Sequence, residues 1–142
     1  MASYNKFQVF PENLAKGVHN LQSGQHQLMV ALLAAANAPL PGNTVLANLT
    51  QIAYTNLSTR ALVITGSAQT GGLYKLTLAD LLLTASGGPV ATFRYVVVYN
   101  DTPTSPVDPL IAWYDYGDNV TLLEGETFTI DFDATNGFLT IA

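Results

Sequence analysis

An all-β fold is what this sequence predicts: a single-domain antiparallel β-sandwich, jelly-roll-like, with a short N-terminal arm or helix. Three observations predict it. Short runs are apolar at alternate residues, turn residues punctuate them about every eight to twelve positions, and two neighbouring runs are apolar on both faces. In the first of those two, Phe93, Tyr95, Val97 and Tyr99 share one face, while Val96 and Val98 share the other with Arg94. Side chains alternate along a strand, so a run apolar on both faces must be covered on both. The second run, Leu110 to Tyr116, has the same character and carries the only Trp. Residues 100–109 between them hold three prolines, which cannot continue a ladder, so the pair reads as a hairpin-like unit with a long loop.

Taken in order, the remaining elements follow from local signals. Residues 1–24 read as an N-terminal arm and residues 25–142 as the β-sandwich domain. Tyr4, Phe7, Val9 and Phe10 make the start of the chain apolar. It either forms a first strand on the domain's own sheet or packs on a neighbouring subunit. Pro11 can open a short helix, because its missing N–H is unneeded there, with Leu14, Val18 and Leu21 on one face. The uncharged run Leu28 to Ala36 reads as a buried strand, ended by the loop at residues 39–43. Strands are expected over Thr44 to Tyr54 and Ala61 to Thr65, with a turn or short loop from Gly66 to Gly72. Leu73 to Thr84 reads as one long strand whose apolar phase slips at Ala79–Asp80, as at a β-bulge. Val120 to Leu122 is a short strand. Phe128, Ile130 and Phe132 then alternate with Thr127, Thr129 and Asp131, the pattern of a half-solvated strand. Asn136–Gly137 is a two-residue hairpin signal before a closing strand, Phe138 to Ile141.

Composition bounds the function. The chain has 142 residues, one domain's worth, of which 49% are hydrophobic and only 11% charged. That is under half the usual charged share of about a quarter, so part of the surface is expected to be covered by a partner. No apolar run reaches the ~20 residues of a membrane-spanning helix, and no membrane partner is expected. The net charge is −5, and Lys6, Lys16, Arg60, Lys75 and Arg94 are scattered, which argues against direct nucleic-acid binding. The absence of cysteine excludes disulfides, thiolate metal sites and cysteine nucleophiles. The first residues lack the basic and apolar regions of a signal peptide.

Enzyme chemistry is thin, and no catalytic, cofactor-binding or metal residue is assigned. His19 and His26, the only imidazoles, have no metal-binding spacing and read as ordinary surface or rim residues. No G-x-S-x-G elbow presents a serine. Asp131 and Asp133 share a strand face, and Asp115 and Asp118 flank Gly117. Four carboxylates could hold Ca²⁺, or form a glycosidase pair, only if their strands were neighbours. The exposed members among Tyr99, Trp113, Tyr114 and Tyr116 could stack on a sugar, though alternation turns about half of them inward.

Several stretches together carry a resemblance. They are Tyr4-Asn5-Lys6-Phe7, Ile52 to Ser58, Gly72 to Leu76, Phe93 to Asp101, Trp113 to Gly117 and Phe128 to Asp133. The chain resembles small virion structural proteins of tailed bacteriophages, of the head decoration or cement type. The resemblance spans most of the chain, and its residues are structural rather than catalytic. It implies a non-enzymatic subunit on the outer surface of the phage head, forming a homo-oligomer and binding the major capsid protein. Tyr4, Phe7, Phe10, Trp113 and Tyr116 are the residues expected at the interface, the alternative for each being packing inside one subunit. A tail or head-to-tail joining subunit, and a carbohydrate- or receptor-binding module, are the competing expectations.

Overall fold

The structure, a computed structural model, describes residues 2–142. It is mostly β, with antiparallel sheets and one α-helix among the described residues. The strands are β1 (Ser3–Lys6), β2 (Leu28–Leu33), β3 (Ile64–Thr70), β4 (Leu73–Leu78), β5 (Leu81–Thr84), β6 (Phe93–Asn100), β7 (Leu110–Val120), β8 (Thr127–Ile130) and β9 (Leu139–Ile141). Helix α1 spans Phe10–Ala15. The sheets run β1-β7-β6-β2, β3-β4-β9 and β5-β8.

The β6–β7 pair forms the centre of the four-stranded sheet, and both of its faces are buried as expected. One face carries Val96, Val98 and Ile111 into a large core shared with Leu76 and Leu78 of β4, Leu83 of β5 and Ile130 of β8. The other face carries Tyr95, Val97, Tyr99, Leu110 and Trp113 into a smaller cluster closed by Phe7, with Leu46 and Leu49 against it. Phe93 departs from its expected face and joins the large core. The cause is a break in register, since Phe93 pairs with Val120 while Tyr95 pairs with Asp115. The surplus residues of β7 bulge around Gly117, whose φ of +89° suits glycine. Asp115 holds the bulge by accepting the Gly117 N–H at 2.8 Å and pairing with Arg94 at 2.8 Å. Val120 is therefore the end of β7 rather than the start of a separate strand.

The N-terminal residues are a strand on the chain's own sheet, with Tyr4 opposite Tyr114 and Asn5 opposite Trp113. α1 stops at Ala15, and Gly17 turns the chain at φ +77°, so Val18 and Leu21 lie beyond the helix. The outer edge of β2 is closed by the 52–62 segment, through Ile52 N–H to Leu32 O at 3.0 Å and Leu62 N–H to Leu28 O at 2.9 Å. Covering an edge in this way blocks unwanted strand pairing.

Other expectations change for physical reasons. Thr44 to Tyr54 is not a strand: it holds a single 3₁₀ turn at Leu46–Asn48. The Asn48 side chain accepts the N–H groups of Thr44 and Val45, competing with any ladder. The Gly66–Gly72 stretch is largely strand, because pairing with β4 carries β3 to Thr70 and leaves only Gly71–Gly72 as the turn. At Ala79–Asp80 the chain does more than bulge. It leaves one sheet for another, β4 pairing with β3 and β9, and β5 with β8. Asn136–Gly137 is likewise no hairpin, since β8 and β9 lie in different sheets. Asp133 there accepts the N–H groups of Thr135 and Asn136 in a tight turn.

Phe7 is fully buried, with its ring centroid 4.5 Å from that of Trp113. Replacing it with Ala should destabilise the fold by about 3–5 kcal/mol in urea titrations, as large-to-small aromatic changes in cores do.

A candidate docking groove

A groove of about 1480 Å³ opens between the large-core face of the four-stranded sheet and the chain from β8 to β9. Alternation along β1 directs Ala2, Tyr4 and Lys6 to this side, where they form one wall. Pairing of β1 with β7 then sets Tyr4 against Tyr114, with ring centroids 5.6 Å apart. Phe138 meets Tyr4 edge-on at 5.7 Å, and Phe132 meets Phe138 edge-on at 5.8 Å. Tyr116 packs edge-on against Phe128 at 5.2 Å, extending the aromatic surface along β7 and β8. Such edge-to-face contacts are each worth about 0.5–1.5 kcal/mol beyond the area they bury. Gly137 lets the chain pass this close, since a Cβ on it would lie 3.0 Å from the Leu76 carbonyl oxygen.

The charged groups lining the groove are few and unequal in sign. Asp80, Asp131 and Asp133 stand against Lys6. All three carboxylates are exposed, and Asp80 accepts the Phe132 N–H at 2.9 Å. Hydrogen bonds from the Asn136 backbone and side chain hold the Asp133 carboxyl below the usual carboxylate range, so it is ionised at neutral pH. Burial pushes the Tyr4 phenol up to about 12, and burial and then Tyr4 raise that of Tyr114. Both hydroxyls therefore stay neutral and can donate.

The five residues expected at an interface divide. Tyr4 and Tyr116 are 41% and 48% exposed and line the groove. Phe7, Phe10 and Trp113 are packed inside the chain. The reason is the pairing of β1 with β7, which swings Phe7 across Trp113 on the opposite face of the sheet. Phe10 lines the groove while only 4% exposed. Tyr114, Phe128, Phe132 and Phe138 complete the aromatic surface, and none of them is among the five residues expected at an interface. The alternation of Phe128 and Phe132 was the signal for the last stretch, but it marks a buried face without saying what opens onto it.

Of the two histidines, expected at the surface or rim, His19 is instead buried. His19 is 7% exposed and His26 is half-buried, and both meet the side chain of Asn100 at 3.0 Å. Nothing in the spacing of residues 19, 26 and 100 signals that meeting, which only the fold brings about. The four acids considered for calcium do not gather: Asp115 is engaged with Arg94, and among the described residues no group of three His, Cys, Asp or Glu could hold a metal ion.

No family model, no curated protein and no solved structure matches the chain.

Floor and rim of the groove should separate in stability measurements. Phe138 is buried among Tyr4, Tyr114 and Phe132, so Phe138→Ala should cost about 3–5 kcal/mol. Tyr116→Ala removes a half-exposed ring and should cost no more than about 1 kcal/mol, nearly all of it the contact with Phe128.

Proposed function

We propose that the chain is a non-enzymatic structural subunit of a phage virion, a jelly-roll-like β-sandwich that decorates the outer surface of the head and cements its major capsid proteins. The observation that carries this reading is the aromatic groove with an acidic rim. Exposed Tyr4, Tyr116 and Ile141 lie along it, and among the described residues no further strand pairs with the outer edges of β1 and β9, which border it. Apolar surface of this kind, ringed by polar groups, is what protein–protein contacts bury. The sandwich reading is supported by the four-stranded sheet facing the two smaller ones across the large core.

The occupant of the groove is an extended segment of the shell protein, carrying apolar side chains beside lysines or arginines. Charge complementarity selects it, with three rim aspartates against Lys6, and Lys75 beside Asp133, on a chain of net charge −5. A second copy of this chain would bring acids against acids. Oligomer contacts therefore belong elsewhere on the surface. A standard interface buries ~1,600 Å² in total, and many symmetric copies would sum such contacts over a shell under pressure from packaged DNA. A second reading, a carbohydrate-binding module, is favoured by the exposed rings of Tyr4 and Tyr116 beside hydrogen-bonding carboxylates.

Quantitative mass spectrometry of purified particles tests the proposal. The chain should be present in numbers comparable with the shell protein. A number matching a single ring would instead indicate a joining subunit, and absence from particles would overturn the proposal. Tyr116→Ser combined with Asp131→Lys should weaken binding to undecorated shells by about tenfold or more while leaving the fold intact. A signal on a glycan array with no binding to shells would favour the carbohydrate reading.

A further inference from the structure

Two histidines of the α1–β2 connection meet an asparagine distant in sequence where that connection crosses the end of β6. Asn100 is the last residue of β6 and wholly buried. Its Oδ1 accepts the Thr102 N–H at 3.2 Å, which fixes the orientation of the amide. Its Nδ2 then has two hydrogens to give. It lies 3.0 Å from Nδ1 of His19 and 3.0 Å from Nδ1 of His26. The His26 Nδ1 also accepts the backbone N–H of Asn20 at 3.1 Å. Every neighbour of both Nδ1 atoms is a donor. Each ring must therefore be neutral, with its proton on Nε2.

We infer that His19, Asn100 and His26 form an acid-opened latch, which fastens the 18–27 segment to the end of β6 only while both imidazoles are neutral. A proton on either Nδ1 would set N–H against the Asn100 amide hydrogens, and on His26 against the Asn20 N–H as well. The two charges would also repel each other. The His19 Nε2 is buried without a hydrogen-bond partner among the described residues, so nothing there compensates a cation.

Among the described residues, the groups around the latch offer no counter-charge in contact with the rings. Phe10 of α1 packs on the His19 ring at 5.2 Å, and the charged residues of α1, Glu12 and Lys16, pair with each other at 2.9 Å. Tyr74 of β4 has its hydroxyl engaged with Ser67 of β3 at 2.8 Å. Asp101, next to Asn100, is exposed. Burial, and then the charge of His26, lower the His19 pKa from 6.5 to about 4. Between those values the unfolded segment binds more protons than the latched one. The contribution of His19 to the latch is thus complete above pH 6.5 and lost as pH falls toward 4. Phe10 also lines the groove, so release of His19 loosens one of its walls. The latch itself holds whether or not the groove has an occupant.

Imidazole ¹⁵N spectra and amide exchange protection factors, followed from neutral pH down to about 4, test this. Both rings should carry the Nε2 proton at neutral pH, and His19 should titrate near 4. Protection at Val18 to Gln27 should fall about tenfold or more on acidification, while amides of Val97 and Trp113 stay protected. In the double variant His19→Asn, His26→Asn, the amide oxygens can accept where Nδ1 did and do not titrate, so protection should not change with pH. A proton on either Nδ1 at neutral pH, or His19 titrating at its ordinary 6.5, would overturn the latch. So would acid loss of protection that persists in the double variant. The tautomer and titration readouts use the native chain and decide the matter even if the variant fails to fold.

Discussion

The structure depends on one constraint: β6 and β7 are apolar on both faces, and water must be kept from both. Hydrophobic burial contributes about 25 cal/mol per Å² removed from water, so two uncovered faces on a central pair would forfeit much of the stability of a small domain. The chain answers with different material on each side. Two small sheets cover one face, and Phe7 with the loop around Leu46 and Leu49 covers the other. Even the N-terminal strand follows from this, because pairing with β7 is what brings Phe7 onto Trp113.

The groove is a consequence of how the first face is covered. β5–β8 and β3–β4–β9 pack on it as separate sheets, so the chain between β8 and β9 crosses as a turn rather than as a paired hairpin. Aromatic side chains fill that crossing, and where β1 ends the coverage Tyr4 and Tyr116 stay open to solvent. On the proposed reading, few charges, a net negative balance and an uncovered aromatic surface belong together, as properties of a subunit with a face for a partner. On the same reading, that partner is a shell.

Periodicity made the central pair legible, and with it β2 and the alternation of β8. Register and side-chain capping were beyond it. Phe93 changes face because of extra residues in the facing strand, and a single run cannot report its partner's bulge. Thr44 to Tyr54 has strand-like composition, yet Asn48 turns it by accepting backbone N–H groups locally. Gly66 to Thr70 has the composition of a loop, yet β4 recruits it into a ladder. The aromatic residues of the arm divide between buried Phe7 and Phe10 and exposed Tyr4, a division set by the strand that the arm joins and so beyond the reach of a single run. Asn100 looked like the start of a loop and proved to be the anchor for two histidines.

On the proposed reading, the face bearing Tyr4 and Tyr116 is open in the free chain and covered on the assembled particle. Hydroxyl-radical footprinting of the two states, read at single-residue resolution, tests it most directly. The account predicts strong labelling of both tyrosines in the free chain and their protection on particles, with Leu40 and Val63 at other exposed positions as references. Equal labelling of Tyr4 and Tyr116 in the two states would contradict it.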